Sequence, residues 1–180
     1  MNLPNLLTSL RIVSIPVLVI VLLTQFEGKE LVAFIIFLVA ALTDMFDGFL
    51  ARRREQITIF GQILDPIADK LLVASAFICL VELGAVQAWM VVIILGREIA
   101  ITGFRAIASS KKIYIPSSRL GKIKMILEAV TICLLILGEK YIGRYYFFSQ
   151  IGLWLVIAIA VISAAQYYIK FGPLLISKHS

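Results

Sequence analysis

LVAFIIFLVAALTDMFDGFLA, residues 31–51, is the stretch on which the architecture turns. Every residue from Leu31 to Leu42 is apolar, and the whole stretch is long enough to cross about 30 Å of hydrocarbon as a helix. Its C-terminal part nevertheless carries Asp44 and Asp47. A charge at the bilayer centre costs about 2.5–3.5 kcal/mol on insertion scales, so acids inside a span mark function by default. The stretch therefore reads as a membrane helix with a chemically active end.

The same pattern recurs on either side. The chain has 180 residues, 61% of them hydrophobic, and a mean hydropathy of +1.01, against about 45–50% apolar in a soluble domain. The excess falls into six spans, roughly 6–24, 31–51, 58–82, 86–108, 121–138 and 147–170. The expected fold is all-α: a polytopic membrane protein of six transmembrane helices, forming one domain over residues 1–180. No internal repeat and no long linker divides it. The first span resembles a signal peptide in carrying Arg11, but no A-x-A-like cleavage site follows and five more spans do, so it reads as retained.

Loop charge sets the orientation. Arg52, Arg53 and Arg54, then Lys111, Lys112, Arg119 and Lys122, then Lys170 and Lys178 all fall on one side. The other side carries only Lys29, Lys140 and Arg144. Both termini are expected in the cytoplasm. The net charge of +6 is accounted for by topology and anionic headgroups, without nucleic acid. Cys79 and Cys133 stand inside apolar spans with no CxxC pattern, as small buried residues. His179 is the only histidine, which excludes a histidine-based metal site or triad.

The chemistry therefore rests on carboxylates, lysine and arginine. Asp44, Asp47, Gly48, Ala51 and Arg52 stand at i, i+3, i+4, i+7 and i+8, one continuous helical stripe. Gly61, Asp65 and Asp69 stand at i, i+4 and i+8 and form a second. If the two helices face each other, four carboxylates converge in a polar cavity near the cytoplasmic side. Four acids of one sign need cations, and hard oxygen donors suit two Mg²⁺ or Mn²⁺ ions rather than Zn²⁺. The competing reading makes these acids buried ion-pair partners of Lys70, Arg97 or Arg105. Gly48, Ala51 and Gly61 let a bulky ligand or a neighbouring backbone approach, and Pro66 is expected to kink the third span or loosen a turn.

The run Asp44-x-x-Asp47-Gly48-x-x-Ala51-Arg52, eight residues, then Gly61-x-x-x-Asp65-x-x-x-Asp69, resembles the signature of the CDP-alcohol phosphotransferases at every fixed position and spacing. The motif covers 26 residues, and the six-span layout extends the likeness over the chain. The resemblance implies that Asp44, Asp47, Asp65 and Asp69 bind two divalent cations, with Asp69 also the general base. It implies a CDP-lipid donor, CDP-diacylglycerol, lying along Gly48, Ala51, Arg52 and Gly61. It also implies a homodimer. Asn5 to Arg11 resembles the family's start, where Thr8 reaches the donor's nucleotide or, equally, caps the helix as Asn5 does.

The acceptor is read from other residues. Gly96-Arg97-Glu98-Ile99 with Arg105, and Gly121-Lys122-Ile123-Lys124, look like the members of the family that use glycerol 3-phosphate. Arg97, Arg105 and Lys122 are then candidates for holding its phosphate. Cytoplasmic basic residues are also expected from topology alone, and Lys124 has a local partner in Glu128. Related enzymes with inositol phosphate, serine or phosphatidylglycerol as acceptor remain open. A divalent-cation transporter would carry polar groups through the whole bilayer, and a prenyl-diphosphate transferase would lack the Gly-x-x-Ala-Arg element.

Overall fold

The computed structural model describes the backbone of residues 3–54, 59–110 and 119–176, and the side chains of residues 9–43, 67–110, 121 and 123–169. The described backbone is helical throughout its elements: α1 Leu3–Leu23, α2 Lys29–Arg54, α3 Ile59–Glu82, α4 Ala88–Ser110, α5 Arg119–Ile142 and α6 Phe147–Ile176, with a 3₁₀ turn at Gly143–Tyr146 before α6. Each apolar stretch read from the sequence falls on one of these helices. The longest disagreement is at the end of α6, which continues to Ile176. Lys170 ends an apolar window there but does not end a helix.

The helix ends have local causes. α3 closes in a Schellman arrangement at Gly84, whose φ is 73°. Ala85 N–H donates to Leu80 O at 2.9 Å and Gly84 N–H to Val81 O at 2.9 Å, which satisfies carbonyls the helix would otherwise leave open. α5 is interrupted at Gly138 (φ 62°, ψ −179°), a backbone that a β-carbon would strain. That break stands where the sequence places the end of the fifth span. α1 runs through Pro16, which lacks the N–H for a helical bond.

α1 packs on α2 and α3, α5 on α2 and α6, and α4 on α6 and α3. Leu18, Phe37, Leu72, Phe77, Ile94, Ile132 and Leu153 fill the interior. One close approach depends on a missing side chain. A β-carbon on Gly152 of α6 would stand 2.6 Å from Thr131 Oγ1 of α5. Backbones meet this closely only across small residues.

The outer surface is apolar too. Ile20, Ile35, Val39, Ile78, Val92, Val130, Trp154 and Ile169 all face outward. A water-soluble bundle puts charge there and rarely exposes a contiguous apolar patch beyond a few hundred Å². The region Ile123–Ile169, taken across the break at Gly138, contains a window of mean hydropathy 2.1 and is long and apolar enough to cross a membrane. Among the described residues it is the one stretch that meets that test; Ser9–Leu23 is apolar but shorter.

Candidate functional site

The backbone is helical across both carboxylate stripes, Asp44 to Arg52 in α2 and Gly61 to Asp69 in α3. Residues four apart therefore share a face on each helix. α3 continues past Pro66 as one helix. α2 and α3 touch. The side chains of Thr8, Asp44, Asp47, Gly48, Ala51, Arg52, Gly61, Asp65 and Lys122 lie outside the described residues. Among those described, no three metal-ligating side chains cluster. The donor set itself, carboxylate oxygens on regular helices, fits a hard divalent cation better than a soft one.

Asp69 is described and half-buried. Its neighbour Lys70 does not turn back to it; Lys70 Nζ donates to Thr102 Oγ1 of α4. Consecutive residues on a helix point about 100° apart, which is why α4 receives this lysine. Lys70 lies within electrostatic reach of Asp69, Glu98, Arg97 and Arg105, and Glu128 within reach of Asp69. One end of α3, the middle of α4 and the start of α5 thus share a polar neighbourhood inside an otherwise apolar bundle.

Its centre is Lys124, fully buried on α5. The ammonium donates to Glu128 Oε1 at 3.0 Å, to Glu128 Oε2 at 2.9 Å and to Glu98 Oε1 at 2.8 Å. An ammonium has three donors, and all three are used. Lys124 therefore ties α5 to α4 and has nothing left for a ligand. Glu128 stands one helical turn on, as its spacing suggests; the bond to Glu98 comes from tertiary packing.

Glu98 Oε1 also accepts from Arg97 Nη1 at 2.5 Å. Arg97 Nε donates to Ser163 Oγ of α6 at 3.1 Å, and Ser163 Oγ donates in turn to Ala160 O at 3.0 Å. Two cations, Arg97 and Lys124, thus balance two anions, Glu98 and Glu128. Arg105 is placed separately. Its Nη2 donates to Tyr167 Oη at 2.5 Å, with Cζ 5.4 Å from the centre of the same ring.

Of the residues expected to hold an anionic acceptor, Arg97 and Arg105 therefore stand on one helix beside Asp69's neighbour Lys70. Each is held by a side chain from α6. Sequence reading passed over Ser163, Tyr167, Thr102 and the double role of Glu98. One signal was available: Glu98 and Glu128 are acids inside apolar spans, as Asp44 and Asp69 are.

The described residues thus form an all-helical bundle with an apolar exterior and a polar cluster inside it. The chain belongs to the CDP-alcohol phosphatidyltransferase family, whose model matches residues 1–163. It is 36% identical to the CDP-diacylglycerol–glycerol-3-phosphate 3-phosphatidyltransferase of Bacillus subtilis (strain 168), with 94% of each chain covered. It is 36% identical to the protein of that name from Rickettsia felis, with 93% of each chain covered. It is 37% identical to the one from Salmonella choleraesuis, over 92% of this chain and 95% of that one.

Proposed function

We propose that this protein transfers the phosphatidyl group of CDP-diacylglycerol to glycerol 3-phosphate, giving phosphatidylglycerophosphate and CMP, from within a bacterial membrane. The observation that carries the reading is the bond from Lys70, next to the last acid of the carboxylate pattern, to Thr102 of α4, within electrostatic reach of Asp69, Arg97 and Arg105. The names of the relatives, which span nearly the whole chain, support the same donor and acceptor.

The chain's residues have distinct tasks in this reaction. Gly48, Ala51, Arg52 and Gly61, along α2 and α3, take the donor's cytidine and pyrophosphate, and Thr8 reaches its nucleotide. Asp44, Asp47, Asp65 and Asp69 hold two divalent cations, Mg²⁺ or Mn²⁺, which neutralise the pyrophosphate and polarise phosphorus when bound. Asp69 accepts the proton of the incoming hydroxyl. The acceptor oxygen forms the new bond to phosphorus as the bond from that phosphorus to CMP breaks. Arg97, Arg105 and Lys122 bind the acceptor's phosphate and fix its hydroxyl at attacking distance.

The apolar outer face, the Ile123–Ile169 stretch and the one-sided basic loops support six spans, with both termini and the cavity in the cytoplasm. The family likeness supports a homodimer. The test is to reconstitute the purified protein in vesicles with labelled CDP-diacylglycerol and follow the lipid product by mass. Phosphatidylglycerophosphate is expected with Mg²⁺ or Mn²⁺, and none after chelation. Undiminished turnover in excess chelator would remove the cations from the mechanism. External labelling of Ser180→Cys in intact cells is expected to fail; ready labelling would reverse the orientation.

A further inference from the structure

Arg97 is gripped at two of its three nitrogens. Glu98 Oε1 takes Nη1 at 2.5 Å, and Ser163 Oγ takes Nε at 3.1 Å. Among the described residues none takes Nη2. Neither grip is loose. Glu98 is itself pinned by the buried Lys124. Ser163 is 1% exposed and its hydroxyl hydrogen is committed to Ala160 O, so its lone pairs face the guanidinium. The arginine side chain is 10% exposed, so it is not wholly sealed. A guanidinium is planar, so fixing two nitrogens fixes the direction of the third.

We infer that Ser163, with Glu98, is a positioning residue that aims the Nη2 edge of Arg97 at the phosphate of the acceptor. The inference rests on the acceptor role given to Arg97 above. It adds a specificity device supplied by α6, a helix to which the carboxylate pattern contributes nothing. The benefit is entropic. A free arginine loses rotamer freedom when it takes an anion, whereas one held at two points has already lost it. Neutral hydroxyl acceptors gain nothing from this arrangement, so the aim of Arg97 bears on the choice among acceptors.

Steady-state kinetics of the full chain in vesicles, with CDP-diacylglycerol and glycerol 3-phosphate varied in turn, tests this through Arg97→Ala, Ser163→Ala and the double variant. Ser163→Ala removes one hydroxyl and leaves the Lys124 cluster whole. It is expected to raise the acceptor KM roughly 3–10-fold, the scale of one ordinary hydrogen bond, with donor KM and kcat unchanged. Arg97→Ala is expected to raise the acceptor KM further. The double variant is expected to match Arg97→Ala, because Ser163 acts only through the arginine. A general structural role would instead move both KM values and add to the arginine effect, and that result overturns the inference. If Arg97→Ala raises the acceptor KM and Ser163→Ala does not, the aiming role falls while the acceptor role stands. If Arg97→Ala leaves the acceptor KM unchanged, or the wild-type protein does not use glycerol 3-phosphate, both fall.

Discussion

At one end of the bundle Lys124 is buried between Glu98 and Glu128; at the other, Lys140 reaches Glu30 at 3.2 Å across open surface. Both are lysine–glutamate contacts, and both join separate helices. Lys124 is wholly out of solvent, whereas Lys140 is 56% exposed. Water offsets the Lys140 charge whether or not Glu30 is there, so the exposed bridge adds little. At Lys124 three carboxylate oxygens solvate the ammonium among the described residues, and losing a partner leaves a bare buried charge. The surroundings differ in the same sense. Around Lys140 stand Tyr141, Arg144, Tyr145 and Phe148, lining a cavity of about 730 Å³. Trp89 and Trp154 pair at 5.7 Å on the α4–α6 face. Aromatic and basic side chains of this kind suit a membrane–water interface. Arg97 belongs to the other cluster, and Asp69 lies within electrostatic reach of its Glu128. The difference teaches that residue type does not fix a salt bridge's task; burial and the number of satisfied donors do.

The largest effect expected from breaking that contrast is chemical. Asp69→Asn removes the proton acceptor and a cation ligand together. General-base loss alone costs about 10²–10⁴ in rate, so kcat is expected to collapse by at least that much while the protein still inserts. A change confined to acceptor KM would remove Asp69 from the base role.

Next comes the buried cluster itself. Lys124→Ala leaves Glu98 and Glu128 facing each other and is expected to destabilise the protein by about 3–5 kcal/mol, the usual cost of orphaning a buried ion. Thermal unfolding in detergent reads it. A melting point equal to the wild type's would mean that water reaches this cluster.

A smaller loss is expected between the two ends. Gly152→Ala puts a methyl group 2.6 Å from Thr131 Oγ1. Thr131 is buried, and its hydroxyl is bonded to Leu127 O at 2.7 Å, so it has no easy retreat. Overpacking of this kind costs about 1–3 kcal/mol. Unchanged stability would show that α5 and α6 separate freely at this point.

The smallest effect belongs to Glu30. A backbone hydrogen bond at the start of α2, aided by Lys140, holds its carboxyl below the ordinary value of 4.5. A group lowered on folding contributes stability that is complete above its unfolded value and fades as pH falls through its folded one. Glu30→Gln is therefore expected to lower the melting point slightly at pH 7, where the contribution is complete, and to match the wild type well below pH 4.5, where it has faded. A loss at pH 7 as large as that of Lys124→Ala would erase the distinction between the two ends.

Much of this was legible in the sequence because it is local or periodic. Apolar runs gave helices with ends a few residues out, and Gly138 marked the end of a span by its backbone. The carboxylate stripes followed from spacing four apart, and Lys124–Glu128 from the same rule. Their convergence on cations lies beyond the described side chains. What spacing does not carry is contact between distant helices. Arg97 meets Ser163 across 66 residues and Arg105 meets Tyr167 across 62. A serine and a tyrosine in an apolar span carry no mark of their partner. Glu98 was visible as a buried acid, yet nothing local says that one of its oxygens serves both Arg97 and Lys124.

The most direct test of the central claim is an acceptor comparison. CMP release from CDP-diacylglycerol is measured with the vesicle-reconstituted protein and Mg²⁺, offering glycerol 3-phosphate, glycerol, serine and inositol phosphate in parallel at equal concentrations. The expected result is fast release with glycerol 3-phosphate, a lipid product carrying its phosphate, and release near background with the others. Equal release with glycerol or serine would contradict the account, because the basic face of Arg97 and Arg105 would then have no acceptor phosphate to hold.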